Sequence, residues 1–256
     1  MATTLVMGLV PNLGYIQMPT TSVTLVHVPV LIGIMLLPLG YAIGLGLTFG
    51  LSSLVASYLQ GSTITDLAFH NPLVSVLPRI LFALIAYFIF HGIKLMIRKY
   101  KYGNVVAFGI VSFVTLFSII IGLKYVANEF ELPVDLFLFL GVLISAVIIA
   151  LFFLAHKNDN QQFSSVTSAV LLSTVVHTLL VLGALAVFKV EAFGDEKVLP
   201  IIFATMMTNG IIEAVVAGII VTPIYIAISK RFPELIERDL QRETDKRKLE
   251  ENDSII

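Results

Sequence analysis

No Lys, Arg, Asp or Glu occurs before Asp66, and the residues in front of it are dominated by Leu, Val, Ile, Gly and Phe. Charged side chains are what a soluble fold places on its outside, so a water-facing surface cannot be built from such a stretch. Its solvent is lipid. The rest of the 256-residue chain follows suit, with 57% hydrophobic residues, 13% charged residues and a mean hydropathy of +0.96. The expected fold is an all-α integral membrane protein, because helices satisfy every backbone polar group within one segment. A formal net charge of -1 offers no electrostatic footprint for nucleic acid, and the absence of cysteine excludes disulfides, thiol catalysis and thiolate metal sites. The N-terminus lacks a basic region and a small-residue cleavage site, so no cleavable signal peptide is expected.

A membrane helix needs about 20 mostly apolar residues. Cutting the chain where polar or Pro-rich residues interrupt such runs predicts a bundle of about eight segments: Ala2 to Val10, Val23 to Leu37, Gly40 to Tyr58, Pro78 to Ile97, Val105 to Val126, Val134 to Ala155, Ser165 to Phe188 and Leu199 to Ser229. The first is too short to cross alone; it is either a partial helix or one completed by residues ahead of Met1. Pro29 and Pro38 predict a kink in or beside the second segment. Residues 1–228 are expected to form the transmembrane domain, and residues 229–256 a charged cytosolic tail whose mixed signs at helical spacing suit a solvated helix.

Lys and Arg in short loops set the direction of insertion. Lys94, Arg98, Lys99 and Lys101 predict a cytoplasmic connection, and the parity of the spans puts Lys230, Arg231, Arg238 and Arg242 on the same side. The expected location is the cell membrane, multi-pass, with a cytoplasmic C-terminus. Loops 11–22, 59–77, 127–133 and 189–198 are then external.

Ionisable groups inside a bilayer are costly unless they meet a partner or a cavity, so each is a candidate site. His27 lies about one turn inside the second segment, and Arg79 begins the fourth after His70 and Asn71 in the preceding outer loop. His177 sits mid-way along the seventh with Ser173 one turn away, and Asn209 and Glu213 share a face of the last. A substrate pocket open to the outside is their simplest common destination. The alternatives are that His177 and Glu213 hydrogen-bond to each other and join the last two helices, and that Arg79 snorkels to headgroups. Gly40 with Gly44 and Gly46 with Gly50 form small-xxx-small pairs, which serve either a helix contact inside the chain or docking onto another membrane protein.

The sequence has no HExxH, no phosphate-cradling Gly-rich loop with Lys, no nucleophile elbow and no paired-carboxylate motif, so neither catalysis nor ATP hydrolysis by this chain is expected. No cofactor and no metal is expected either, since His177 and Glu213 find no third ligand at a suitable spacing. Arg79 suits a ligand carboxylate, and the histidines suit further hydrogen bonds. Two other classes stay open: a stand-alone secondary carrier, and an intramembrane enzyme using His177 and Glu213.

Three stretches in order, Thr24-Leu-Val-His-Val-Pro-Val-Leu-Ile-Gly33, Gly40 through Leu47-Thr-Phe-Gly-Leu-Ser-Ser53, and Asn71-Pro-Leu-Val-Ser-Val-Leu-Pro-Arg79, resemble the substrate-binding S components of energy-coupling factor (ECF) transporters. Thr208-Asn-Gly-Ile-Ile-Glu213-Ala resembles the last helix of that family. The resemblance covers about half the chain. It implies a helical membrane protein that captures a vitamin or vitamin precursor beneath its outer loops, as the riboflavin, pantothenate, folate and pyrimidine-precursor carriers do. It also implies delivery by toppling while docked on a transmembrane coupling protein driven by two cytosolic ATPases. Two departures stand out. S components usually have six spans, which makes residues 105–155 look like an inserted helix pair. The small-residue docking face of the family's first helix is represented here only by Ala2 with Val6 or Thr4 with Gly8.

Overall fold

A computed structural model describes residues 1–17, 22–61, 67–129, 133–158, 161–188 and 210–234. Nine helices are described: α1 Ala2–Leu9, α2 His27–Leu36, α3 Leu39–Gln60, α4 Pro72–Ser75, α5 Leu77–Lys99, α6 Gly103–Glu129, α7 Val134–Asn158, α8 Gln161–Val187 and α9 Ile211–Arg231. A two-stranded antiparallel ribbon, β1 Tyr15–Gln17 and β2 Ser22–Thr24, precedes α2, with Tyr15 opposite Thr24. The protein is an all-α membrane protein apart from this ribbon. The stretches Leu39–Gln60, Pro72–Lys99, Phe163–Leu185 and Glu213–Arg231 are long and apolar enough to cross a membrane, and His27–Leu36, Gly103–Val114 and Val134–Val147 are shorter apolar runs.

The second segment differs most from expectation. Its first residues form β2, so the helix starts only at His27 and spans 10 residues, about 15 Å, half the thickness of a hydrocarbon core. Pro29 falls in the first turn, where an amide N–H would have no intrahelical acceptor in any case, so it starts the helix instead of kinking it. Pro38 stands between α2 and α3 as the N-cap of α3.

The core is a bundle in which α5 packs on α3 and α8, α8 packs on α9, and α2 is wedged among α3, α5 and α9. Leu31, Ile34, Phe49, Phe82, Phe90, Val170, Val221 and Tyr225 form its buried interior. Thr167 and Thr222 share a hydrogen bond of 3.2 Å between α8 and α9. The α6–α7 pair lies at one flank: α6 runs along α8, where the Ser168 hydroxyl donates to the Ala107 carbonyl at 3.3 Å, and α7 packs chiefly on α6.

Small residues set the closest helix approaches. A Cβ on Gly46 would lie 2.7 Å from the Arg79 carbonyl oxygen, and one on Gly50 would lie 2.7 Å from Val76 Cα. Both glycines are thus used inside the chain, on the α3–α5 seam, and not on an outer face. Gly44 faces Met1 at the end of α1, and Gly40 is exposed with open space around it. Thr4 and Gly8 are also turned inward, against α3, where a Cβ on Gly8 would meet Ser52. The exposed face of α1 carries Ala2, Leu5 and Val6 instead. The start of the predicted last span (199–209), the loop 189–198, most of the tail (235–256) and Glu131 lie outside the described residues.

Candidate substrate site

The start of α2, the N-terminal turn of α5, the middle of α8 and the first described turn of α9 converge on one buried cluster. His27, Arg79, His177 and Glu213 are 0%, 3%, 3% and 5% exposed. His27, His177 and Glu213 each offer one ligand atom within 4.8 Å of those of the others. The two imidazoles lie nearly parallel, 5.6 Å between centroids, and His177 also meets Phe82 edge-on at 4.9 Å and Phe49 at 5.5 Å. The floor of the cluster is therefore aromatic and the polar atoms project from it.

Glu213 reaches across the bundle. Its Oε1 accepts the backbone N–H of Thr24 at 2.6 Å, the short distance of a charge-assisted bond. This tie replaces the mutual His177–Glu213 hydrogen bond that the sequence had left open, and it fastens the ribbon, not α8, to α9. It also accounts for the burial of His27 at the first residue of α2, since β2 is already tied to α9 before the chain turns helical.

Arg79 does not snorkel. Its guanidinium lies 4.9 Å from the Phe69 ring centroid and 5.7 Å from that of Phe49, and Nη1 donates to the Val74 carbonyl at 2.7 Å. Cation–π contact and one carbonyl offset part of its desolvation, while Nε has no hydrogen-bond partner among the described residues. Neither ring nitrogen of His27 or of His177 has one either, nor does the Ser173 hydroxyl; the Thr24 backbone lies beside the His27 ring without reaching hydrogen-bond geometry. Tyr15 lies in the same neighbourhood, from the ribbon, and burial holds its hydroxyl above the ordinary phenolic pKa.

The other predicted residues serve the loop above. Asn71 is the N-cap of α4, its Oδ1 accepting the Leu73 N–H at 2.9 Å, and its side chain is exposed. His70 stacks on Tyr58 at 3.9 Å and donates from Nε2 to the Ser57 carbonyl at 3.1 Å, which pins the loop to the end of α3. The Ser75 hydroxyl donates to the Phe69 carbonyl, and Ala68 and Val74 pack on Leu182 and Leu185 of α8. Together these contacts place Phe69 over Arg79. Asn209 lies outside the described residues. Phe49, Phe82, Thr24 and Tyr15 were missed by the sequence reading; the first two look like core aromatics in an apolar helix, and a backbone N–H leaves no mark in a sequence.

In chemical terms the site offers a cation, a carboxylate, two imidazoles and aromatic faces in a water-poor interior, a set suited to holding a small polar molecule. The family model described as ECF transporter, substrate-specific component, matches residues 1–134. His27, His70, Asn71 and Arg79 lie within the match, and His177 and Glu213 beyond it. Among curated proteins no match is found.

Proposed function

Since the chain belongs to the substrate-specific components of ECF transporters, we propose that it captures a vitamin or vitamin precursor at the cluster of His27, Arg79, His177 and Glu213. Members of this family bind small-molecule substrates and work with a transmembrane coupling protein and ATPases, so this chain is a transporter component and the energy comes from other polypeptides. In our reading those are one coupling protein and two cytosolic ATPases, the ligand enters from outside beneath the 67–77 loop, and the charged tail faces the cytosol of a cell whose surface membrane holds the protein.

The observation that supports this most is the set of buried, unpaired polar atoms. Four imidazole nitrogens, Arg79 Nε and the Ser173 hydroxyl face the interior without partners among the described residues. Each such atom costs about 1–3 kcal/mol when left unpaired, an expense that a purely structural core avoids. A polar ligand supplies what they lack. Arg79 would take its carboxylate, the imidazoles would donate to or accept from hydroxyl and amide groups, and Phe49 and Phe82 would pack on its apolar part. Pantothenate carries all these groups and is the substrate we test first.

The test is equilibrium binding of radiolabelled pantothenate to the purified chain in detergent. Replacing Arg79→Ala removes a charge-assisted contact of about 1.5–3 kcal/mol, so affinity should fall about 10- to 100-fold while circular dichroism stays unchanged. An unaltered affinity would remove Arg79 from the site. Labelling of His70→Cys by a membrane-impermeant reagent on intact cells checks the direction; protection from the outside reagent would turn the pocket the wrong way.

A further inference from the structure

By sequence spacing alone, His177 and Glu213 have no third partner for a metal; the fold supplies one. His27, remote in sequence, comes within 4.8 Å of both through its ligand atom. We propose that His27, His177 and Glu213 bind a divalent transition-metal ion of the zinc class, which in turn holds an anionic group of the substrate. The inference rests on the reading of this pocket as the ligand site and names a second determinant within it.

Four observations carry it. The donor set is two imidazoles and one carboxylate, which borderline ions such as zinc prefer. Zinc bonds of about 2.0–2.2 Å put tetrahedral ligand atoms about 3.3 Å apart, so atoms within 4.8 Å need close by no more than about 1.5 Å. Both imidazoles are buried, and all four of their nitrogens are without hydrogen-bond partners among the described residues, so one nitrogen of each ring can coordinate at no loss of an existing bond. Glu213 is already oriented to coordinate, because the Thr24 N–H holds Oε1 with the kind of outer-shell bond that fixes a ligating carboxylate.

Three protein ligands leave a coordination position open. Arg79 is close enough to His177 and Glu213 to act on both electrostatically, so an ion with an empty open position is held less tightly than one that also carries an anion. An anion in the open position compensates both charges. Metal and anionic substrate should therefore tighten each other's binding by the same factor, as linkage requires.

The experiment loads the full-length chain in detergent, first stripped with chelator, with Zn²⁺ or Co²⁺ alone. One zinc per chain after desalting, and visible d–d absorption of bound Co²⁺, are expected. His27→Ala and His177→Ala should each weaken the metal by at least about 10- to 100-fold, the loss that a mere supporting partner causes. Arg79→Ala should retain it. Zinc X-ray absorption on the unaltered chain should show two imidazole ligands, a readout that does not depend on the variants folding. Adding pantothenate should tighten zinc, and chelation should weaken pantothenate. Absence of stoichiometric metal, imidazole-free absorption spectra, or metal retained in both histidine variants would overturn the site; pantothenate binding indifferent to chelator would overturn the bridging role. If zinc fails to bind while the Arg79→Ala effect on pantothenate persists, the metal inference falls and substrate capture stands. If zinc binds and pantothenate does not, the choice of substrate fails alone.

Discussion

Substituting Gly46→Ala tests whether the α3–α5 seam positions Arg79. The added Cβ would lie 2.7 Å from Ala83 Cβ and from the Arg79 carbonyl oxygen, and 3.1 Å from Ile80 Cα, where ordinary contact begins at 3.4 Å. One of these neighbours is a methyl group and two are backbone atoms, so no rotamer change relieves the clash. The helices must part by about 0.7 Å, in a core that tolerates overpacking at a cost of about 1–3 kcal/mol. Gly92→Ala in α5 is the control: that position is exposed and has nothing within 4 Å of the added carbon. Both substitutions raise helix propensity by a similar amount, so the difference between them isolates the packing cost. At about 2–4 °C per kcal/mol for a chain of this size, Gly46→Ala should melt about 2–12 °C below Gly92→Ala in thermal denaturation followed by circular dichroism in detergent. Because the displaced backbone carries Arg79, pantothenate affinity should fall with it. Equal melting temperatures for the two variants would refute the idea that a glycine is needed at this seam.

Glu213→Gln keeps an oxygen for the Thr24 N–H and should remain near native stability, whereas Glu213→Ala leaves that N–H buried and unpaired and should lose about 1–3 kcal/mol in denaturant titration. Equal losses in the two variants would deny the tie a structural part. Asn71→Ala removes a helix N-cap and should destabilise by about 1 kcal/mol with unchanged ligand affinity. A drop in affinity without a drop in stability would return Asn71 to the binding site. Thr167→Val removes the α8–α9 hydroxyl bridge and should lower stability by about 1 kcal/mol in the same titration, and no change would show that the Thr222 hydroxyl finds another partner.

Helix placement was legible because lipid imposes long apolar runs, and α3, α5, α6, α7 and α8 begin and end within a few residues of their predicted bounds. The ribbon was not. Val23 and Thr24 read as the start of the second apolar run, and a three-residue strand is too short for its alternation to register against a hydropathy window. The common pocket of His27, His177 and Glu213 was expected, but counting helical rise from Val23 leaves His27 in the outer third and gives no sign that its ring centroid lies 5.6 Å from that of His177. Arg79 was found from its cost in an apolar segment, but its companions Phe49 and Phe69 carry no such mark. Gly46 and Gly50 announced a close helix approach without saying to which helix, because small-xxx-small spacing encodes distance and not the identity of the neighbour.

The bond between Thr24 and Glu213 joins residues 189 positions apart. Chains enter the membrane from the N-terminus as they are made, at about 5–20 residues per second. For many seconds after His27 and Arg79 are in place, the ribosome has yet to supply the residue that closes their chamber. If this cluster holds the ligand as proposed, nascent polypeptides stalled ahead of α9 should not bind it, and binding should appear only once Glu213 has been added.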